Sequence, residues 1–484
     1  MANHSIETLS TPDLEKAQDK APEDSQAMEP ELVSPPTTKE DSEKTSYLVS
    51  LNPEDDPKYL STFRKCLIVF IVSTGALCST SSTSMAAFAE AGIVRDFHVS
   101  KEVAILGVSL SVAGIGFGPL FAGPLSEVYG RSLIYRVSYS LFWIFSWPVA
   151  FAPNIYVFLI FRFMTGFFSS AFLSVAGGSV SDLFDNHKVG VPVALYALSP
   201  FIGPMLGPLV SGFINQNADW RWTFRVLLIW VFVETVLIFL LVPETYEPVL
   251  RQRKAKKLRQ ATGDDRYYAP LDERQVSMSR AILTSCYMPF KLLALDRMNL
   301  LLDLWTAILF GILYLAFQAW PFIFGINHGF DVQTTGLAFI GIGIGMVIGC
   351  ALNVALTIRN QRKFKGVDAP AEERLTTGKI GAVVVPLSLY WLAFTTYRNV
   401  HWIAPIIASV GFGAGFLLCF TSTFTYLVTA YRPMAATSMA GNAFVRSAFA
   451  AAFPLFAGQM YEKLGTVGAT ALLAGVMTIA APLP

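Results

Sequence analysis

Apolar runs of roughly membrane-crossing length recur twelve times along this chain, separated by short polar breaks and by one break far longer than the rest. About 20 apolar residues carry a helix across hydrocarbon, and a helix closes its own backbone hydrogen bonds there. Runs near residues 65–87, 103–124, 134–152, 155–178, 190–214, 223–243, 299–325, 334–357, 379–397, 402–428, 436–460 and 467–484 therefore predict twelve transmembrane helices. The third is interrupted by Trp143, Trp147 and Pro148, and the last ends on Pro482, Leu483 and Pro484. The stretch from Glu244 to about Met298 parts six spans from six. The expected fold class is an all-α membrane protein: a bundle over 65–243, a central loop over 244–298 and a second bundle over 299–484, with a cavity between the bundles.

Composition agrees, with 53% hydrophobic and 15% charged residues. The net charge of +1 hides a strong asymmetry. Residues 1–64 are rich in Glu, Asp, Pro, Ser and Thr, which predicts a disordered acidic tail without a cleavable leader. Arg131, the Arg251 to Arg259 cluster, and Arg359, Arg362, Lys363, Lys365 and Arg374 all fall in alternate loops. Positive charge on one side predicts both termini in the cytosol. The five cysteines read as small hydrophobes, and no metal-ligand spacing, P-loop or nucleophile elbow appears. The expectation is a non-enzyme with no cofactor, metal or nucleic-acid partner, acting as a single copy in a lipid bilayer.

Several intramembrane positions carry possible chemistry. Between spans 2 and 3 stands Gly123-Pro124-Leu125-Ser126-Glu127-Val128-Tyr129-Gly130-Arg131, where Gly130 permits a turn and an acid and a base can pair across helices. Asp182, at the inner end of span 4, is a third candidate for such a latch. Arg162 lies inside span 4, and a charge in hydrocarbon should face the bundle interior with a partner. In span 5, Gly203, Gly207 and Gly212 alternate with Pro204 and Pro208, which predicts a bent, closely packed helix. Gly341, Gly345 and Gly349 form a small-residue stripe in span 8, faintly echoing Gly114, Gly116 and Gly118 in span 2. The bases after Pro243 predict an amphipathic helix lying on anionic headgroups.

The loop signature at Gly123 to Arg131 resembles that of the major facilitator superfamily, and the doubled Gly-Pro of span 5 resembles the motif of its drug:proton antiporters. With the block from Pro243 to Arg259, Trp220-Arg221-Trp222, and Asn442 with Arg446, the chain resembles from about residue 60 onward the fungal twelve-span exporters of drugs, toxins or polyamines. That resemblance implies an opening and closing latch at Gly123, Glu127, Gly130, Arg131 and Asp182, and links Arg162 to proton coupling. Where such relatives usually carry acids, this chain has Gln318 and Thr429, so the coupling duty passes to Glu234 or Asp303. The chain also stops at Pro484, where relatives continue into a basic tail, which reads as a truncated last span or an incomplete gene model.

Aromatic richness suits a cavity for small hydrophobic or amphipathic compounds, with Tyr314, Phe317, Gln318 and Trp320 of span 7 and Asn442 and Arg446 of span 11 as its expected walls. The leading expectation is proton-driven export of a drug or fungal toxin by alternating access, at the cell membrane or alternatively the vacuolar one. A polyamine exporter, a transport-inactive sensor and an uptake symporter are the competing readings.

Overall fold

A computed structural model describes residues 47–52, 54–184, 190–273, 278–364, 371–431 and 434–483. The first six crossings are α1 (Thr62–Phe97), α2 (Lys101–Tyr129), α3 (Arg131–Ala150), α4 (Ile155–Ser169) continued by α5 (Ala171–Leu183), α6 (Gly190–Asn217) and α7 (Arg221–Leu241). Two long helices, α8 (Glu247–Thr262) and α9 (Met278–Leu295), with a single helical turn at Pro270–Glu273 between them, occupy the central connection. The second set comprises α10 (Arg297–Trp320) extended by a π-helix (Pro321–Asn327), α11 (Val332–Leu337) with α12 (Ile340–Phe364), α13 (Thr376–Thr395), α14 (Ile403–Ala430) and α15 (Ala435–Ala480).

Ten of these stretches are long and apolar enough to cross a membrane. The remaining two crossings are α3, whose apolar pattern is broken by its arginines, and the second leg of the 46-residue α15. Gly465, at φ 70°, divides α15 into its two legs because only glycine holds that backbone conformation without strain. Side-chain caps fix several starts: Asn154 accepts from Val157 N at 2.9 Å, and Asp296 accepts from Met298 N at 2.9 Å and Asn299 N at 3.0 Å. Asp331 caps α11 by accepting from Thr334 N at 2.9 Å, and these Thr334 hydrogen bonds hold its carboxyl below the usual range.

The crossings pack as two six-helix bundles that meet along α2 and α15, and along α6 with α11 and α12. Large apolar side chains such as Phe70, Ile160, Leu240, Leu387 and Ile479 face outward, the expected surface for a lipid solvent. Close helix contact replaces hydrophobic drive: a Cβ at Gly345 would stand 2.1 Å from Val410 O of α14.

One expectation fails in part in the regions outside the bundles. The disordered tail was expected to reach residue 64; residues 1–46 lie outside the described residues, but the segment beginning at Tyr47 is folded against the central connection. Leu48 pairs with Tyr268, Val49 is buried with Ala255 and Ala269, and Lys254 Nζ donates to Ser50 O at 3.0 Å and Asn52 Oδ1 at 2.9 Å. The predicted amphipathic helix is present as α8, and it is this short segment that covers its apolar side.

Candidate functional site

A cavity of about 1770 Å³ lies between the bundles. Its mouth is at the end bearing α8 and α9, among Glu127, Gln252, Asp272, Thr284 and Met288, and it runs inward to Phe310, Tyr314, Asn442 and Arg446. Of the expected walls, Tyr314, Asn442 and Arg446 line it. Phe317, Gln318 and Trp320 do not; they are buried in the contact that shuts the opposite end. The reason is register: Tyr314 lies at the level of the cavity, and each further turn of α10 carries its side chains deeper into that seal.

The seal joins both bundles. Gln318 Nε2 donates to Glu90 Oε1 at 2.6 Å, the hydroxyls of Thr83 and Tyr314 lie 2.9 Å apart, and Phe88 meets Phe339 edge-on. Here α6 and α11 approach so closely that a Cβ at Gly336 would be 2.6 Å from Pro208 O, and one at Gly212 would be 3.0 Å from Val332 O. The Gly-Pro segment therefore has two jobs. Gly203 and Gly207 press α6 onto α1, where a Cβ at Gly207 would lie 1.9 Å from Ser84 Oγ and 2.8 Å from Ser81 O; Pro208 and Gly212 press it onto the second bundle. Pro204 and Pro208 lie inside this continuous helix.

At the mouth end, Arg131 is the hub of a polar cluster. Its backbone N–H donates to Glu244 Oε1 at 2.8 Å, Nη1 donates to Ser126 Oγ at 2.7 Å, Nε is 3.5 Å from Asp182 Oδ2, and the guanidinium stacks over Tyr246. Glu244 also accepts from Thr245 N and Tyr246 N, both at 3.1 Å. Gly130 has φ 97°, and a Cβ there would stand 2.2 Å from Glu244 Oε2. Asp182 stands beside Arg131; Glu127 does not. It is exposed at the cavity mouth and makes no ion pair among the described residues. Glu244, just beyond α7, holds Arg131 instead, because the turn at Gly130 points the backbone N–H of the following helix toward it. Gly123 lines the cavity with open space at its Cβ.

The intramembrane charges separate by surroundings. Arg162 is 0% exposed; Nε donates to Gly107 O at 2.8 Å and Nη2 to Thr83 O at 3.2 Å, with Phe224 beneath the guanidinium. Its partners are carbonyls of α1 and α2, not a carboxylate. Glu234 is buried on the flank of the first bundle, bound to Thr74 Oγ1 at 3.1 Å and away from the cavity lining. Asp303 is 0% exposed and accepts from Asn299 Nδ2 at 3.0 Å and Asn442 Nδ2 at 2.8 Å. Asn442 also donates to Thr306 Oγ1 at 2.8 Å and itself lines the cavity, so one hydrogen bond separates Asp303 from the solute space.

The sequence reading overlooked Glu90, Glu244 and α9. Glu90 lies past the point where span 1 was expected to end, though the apolar run around Ala86, Ala89 and Ile93 continues on both sides of it. Similarly, α9 was folded into the central loop, although its apolar run from Ile282 to Leu295 is readable; it packs against α2 and α15, with Phe290 against Phe444.

Residues 72–454 match the family model described as Major Facilitator Superfamily. The chain is 43% identical over 452 residues to the efflux pump atB of Aspergillus terreus, covering 91% of this chain and 87% of that one. It is 40% identical over 451 residues to the probable drug/proton antiporter YHK8 of Saccharomyces cerevisiae, again covering 91% and 87%. Among solved structures, the partially occluded inward-open xylose transporter XylE from E. coli superposes with a TM-score of 0.59 at 18% identity, covering 86% of this chain and 97% of that one, a likeness of fold. With its two bundles, its one-sided cavity and a family match over most of its length, the chain belongs to the major facilitator superfamily and is a multi-pass membrane transporter, not an enzyme.

Proposed function

We propose that this protein is a proton-coupled exporter of small hydrophobic or amphipathic organic compounds, working by alternating access at the cell membrane. The observation that carries the reading is the one-sided cavity, open where basic residues gather and sealed at the other end by contacts between the bundles. Under the positive-inside rule the open end is cytosolic, so the structure corresponds to the state that loads from the cytosol. Similarity to an efflux pump and to a probable drug/proton antiporter supports the outward direction.

Asp303 is the proposed proton carrier. It is buried beside the cavity, and Asn442 touches both the carboxylate and the solute space. Asn442 so ties solute occupancy to the state of Asp303: for antiport the solute loads while the carboxylate is ionised, and a proton taken up from the opposite side after solute release returns the empty carrier. Outward opening then breaks the Glu90–Gln318 and Thr83–Tyr314 contacts, while the Arg131 cluster steadies the moving first bundle.

The test is transport by the purified full chain in liposomes carrying an imposed pH gradient and a panel of fluorescent amphipathic dyes. Gradient-dependent movement of dye against protons is expected, together with raised intracellular dye in cells lacking the protein. Dye movement that ignores the gradient would remove the coupling, and movement with protons would reverse the direction.

A further inference from the structure

The guanidinium of Arg446 lines the cavity within a cage of three aromatic rings, Phe310 at 4.9 Å, Phe424 at 5.6 Å and Phe420 at 5.8 Å. Ring faces attract the cation, but they do not satisfy five N–H donors. Among the described residues Arg446 has no ion pair and no hydrogen-bond acceptor, and its Nε is buried without a partner. Nearby Asp303 acts on Arg446 through its charge but makes no direct contact with it, its oxygens being held by Asn299 and Asn442. The first bundle shows what a structural arginine looks like here: Arg162 places two of its nitrogens on helix carbonyls and leaves only Nη1 without a partner.

The charges around the cavity point the same way. Arg446 is the one basic side chain among the described lining residues. The lining acids are Glu127 and Asp272, both at the mouth, and Asp272 is bound by Arg259 at 2.8 Å and Gln252 at 2.9 Å. Deep in the cavity, among the described residues, Arg446 is thus the one charge on the lining itself, with aromatic walls and a fork of donors that no ion pair occupies, while Asp303 lies one hydrogen bond behind Asn442.

Resting on the export reading, we infer that the transported compounds are organic anions, an apolar or aromatic body carrying a carboxylate or equivalent acidic group, and that Arg446 receives that group. The planar fork matches a carboxylate in a two-point hydrogen bond. The Phe310, Phe420 and Phe424 rings then hold the guanidinium in place and pack against the apolar body. An inside-negative potential favours both the departing anion and the entering proton. Polyamines are disfavoured by the same lining charge.

Equilibrium dialysis of the purified full chain against naphthalene-2-carboxylate, naphthalene-2-carboxamide and 2-naphthylmethylammonium tests this without any variant. The carboxylate should bind about tenfold or more tightly than either analogue, the size of one charge-assisted contact. Arg446→Gln should erase that preference while still binding the carboxamide, and Arg446→Lys should keep part of it. Equal or tighter binding of the ammonium or carboxamide to the wild type, no measurable carboxylate binding, or an unchanged preference in Arg446→Gln would each overturn the inference. Transport in inverted vesicles separates it from the export reading. If the carboxylate preference holds while none of the three probes crosses, export fails and the anion site stands. If the carboxamide is exported and the carboxylate is not, export stands and the anion site falls.

Discussion

Arg162 and Arg446 are the same residue type inside the same membrane, one in each bundle, and their surroundings assign them opposite work. Arg162 ties α4 to the backbones of α1 and α2 and is sealed from the cavity. Arg446 faces the cavity behind a wall of phenylalanine, and its Nε is buried without a partner. An arginine in hydrocarbon costs roughly 2.5 to 3.5 kcal/mol on insertion scales, so each must be offset. Arg162 is offset within the fold through two carbonyls, with Nη1 alone left without a partner. Arg446 is offset only in part by its rings, and a ligand can supply the rest.

The strongest way to break this contrast is to remove Arg162. Arg162→Met deletes two charge-assisted hydrogen bonds, each worth about 1.5 to 3 kcal/mol, and should strip most folded protein from the membrane. Fluorescence-detected size exclusion of the tagged protein reads this directly. A monodisperse variant of normal abundance would show that Arg162 is no brace, and the comparison with Arg446 would lose its meaning.

Next in size is Asp303→Asn, which keeps shape and burial but cannot carry a proton. Accumulation driven by a pH gradient should fall at least about tenfold, the loss of one full coupling step, while solute exchange without a gradient persists. Retained gradient-driven accumulation would return the duty to Glu90 or Glu234. Arg131→Ala should also impair turnover, because three elements and the Glu244 carboxylate converge on that side chain and its backbone.

Packing at the seal predicts a smaller effect. A methyl at Gly207 would meet Ser84 and the Ser81 carbonyl, and although the hydroxyl can rotate away, the backbone of α1 cannot. Gly207→Ala should destabilise by about 1 to 3 kcal/mol, the usual range for overpacking. Gly123→Ala, with open space around its Cβ, should be neutral or slightly stabilising in thermal-inactivation assays. Equal losses at the two positions would deny that α6 and α1 touch as described.

The features legible in the sequence are those with local signals. Twelve apolar runs were readable because the membrane imposes a length, and Gly130 and Arg131 because a turn demands glycine. Arg446 and Asn442 were readable as cavity walls from their polarity within an apolar helix. The rest depends on partners far along the chain. Gln318 looked like a wall because nothing nearby in sequence reveals Glu90, which is 228 positions away. Glu244 looked like the first residue of a loop, and only the folded turn at Gly130 shows that it binds Arg131 across 113 positions. Depth in a bundle is equally hidden: Tyr314 and Phe317 are neighbours on one helix, yet one lines the cavity and the other lies in the seal.

The smallest expected effect draws the contrast most finely. Glu127 sits in the family's loop pattern but is exposed at the cavity mouth, whereas Glu244 is buried around the Arg131 backbone. An exposed charge without a fixed partner contributes little to stability, on the order of 0.5 kcal/mol or less. Glu127→Ala should therefore change initial export rates less than about twofold, about the rate equivalent of that energy. Glu244→Ala should lower them far more, because it leaves the N–H groups of Arg131, Thr245 and Tyr246 without their shared acceptor. Measured side by side in the same vesicles, a larger loss at Glu127 would mean that the carboxylate acts in the state where this end of the cavity closes, and the latch would then have to be redrawn across the two bundles.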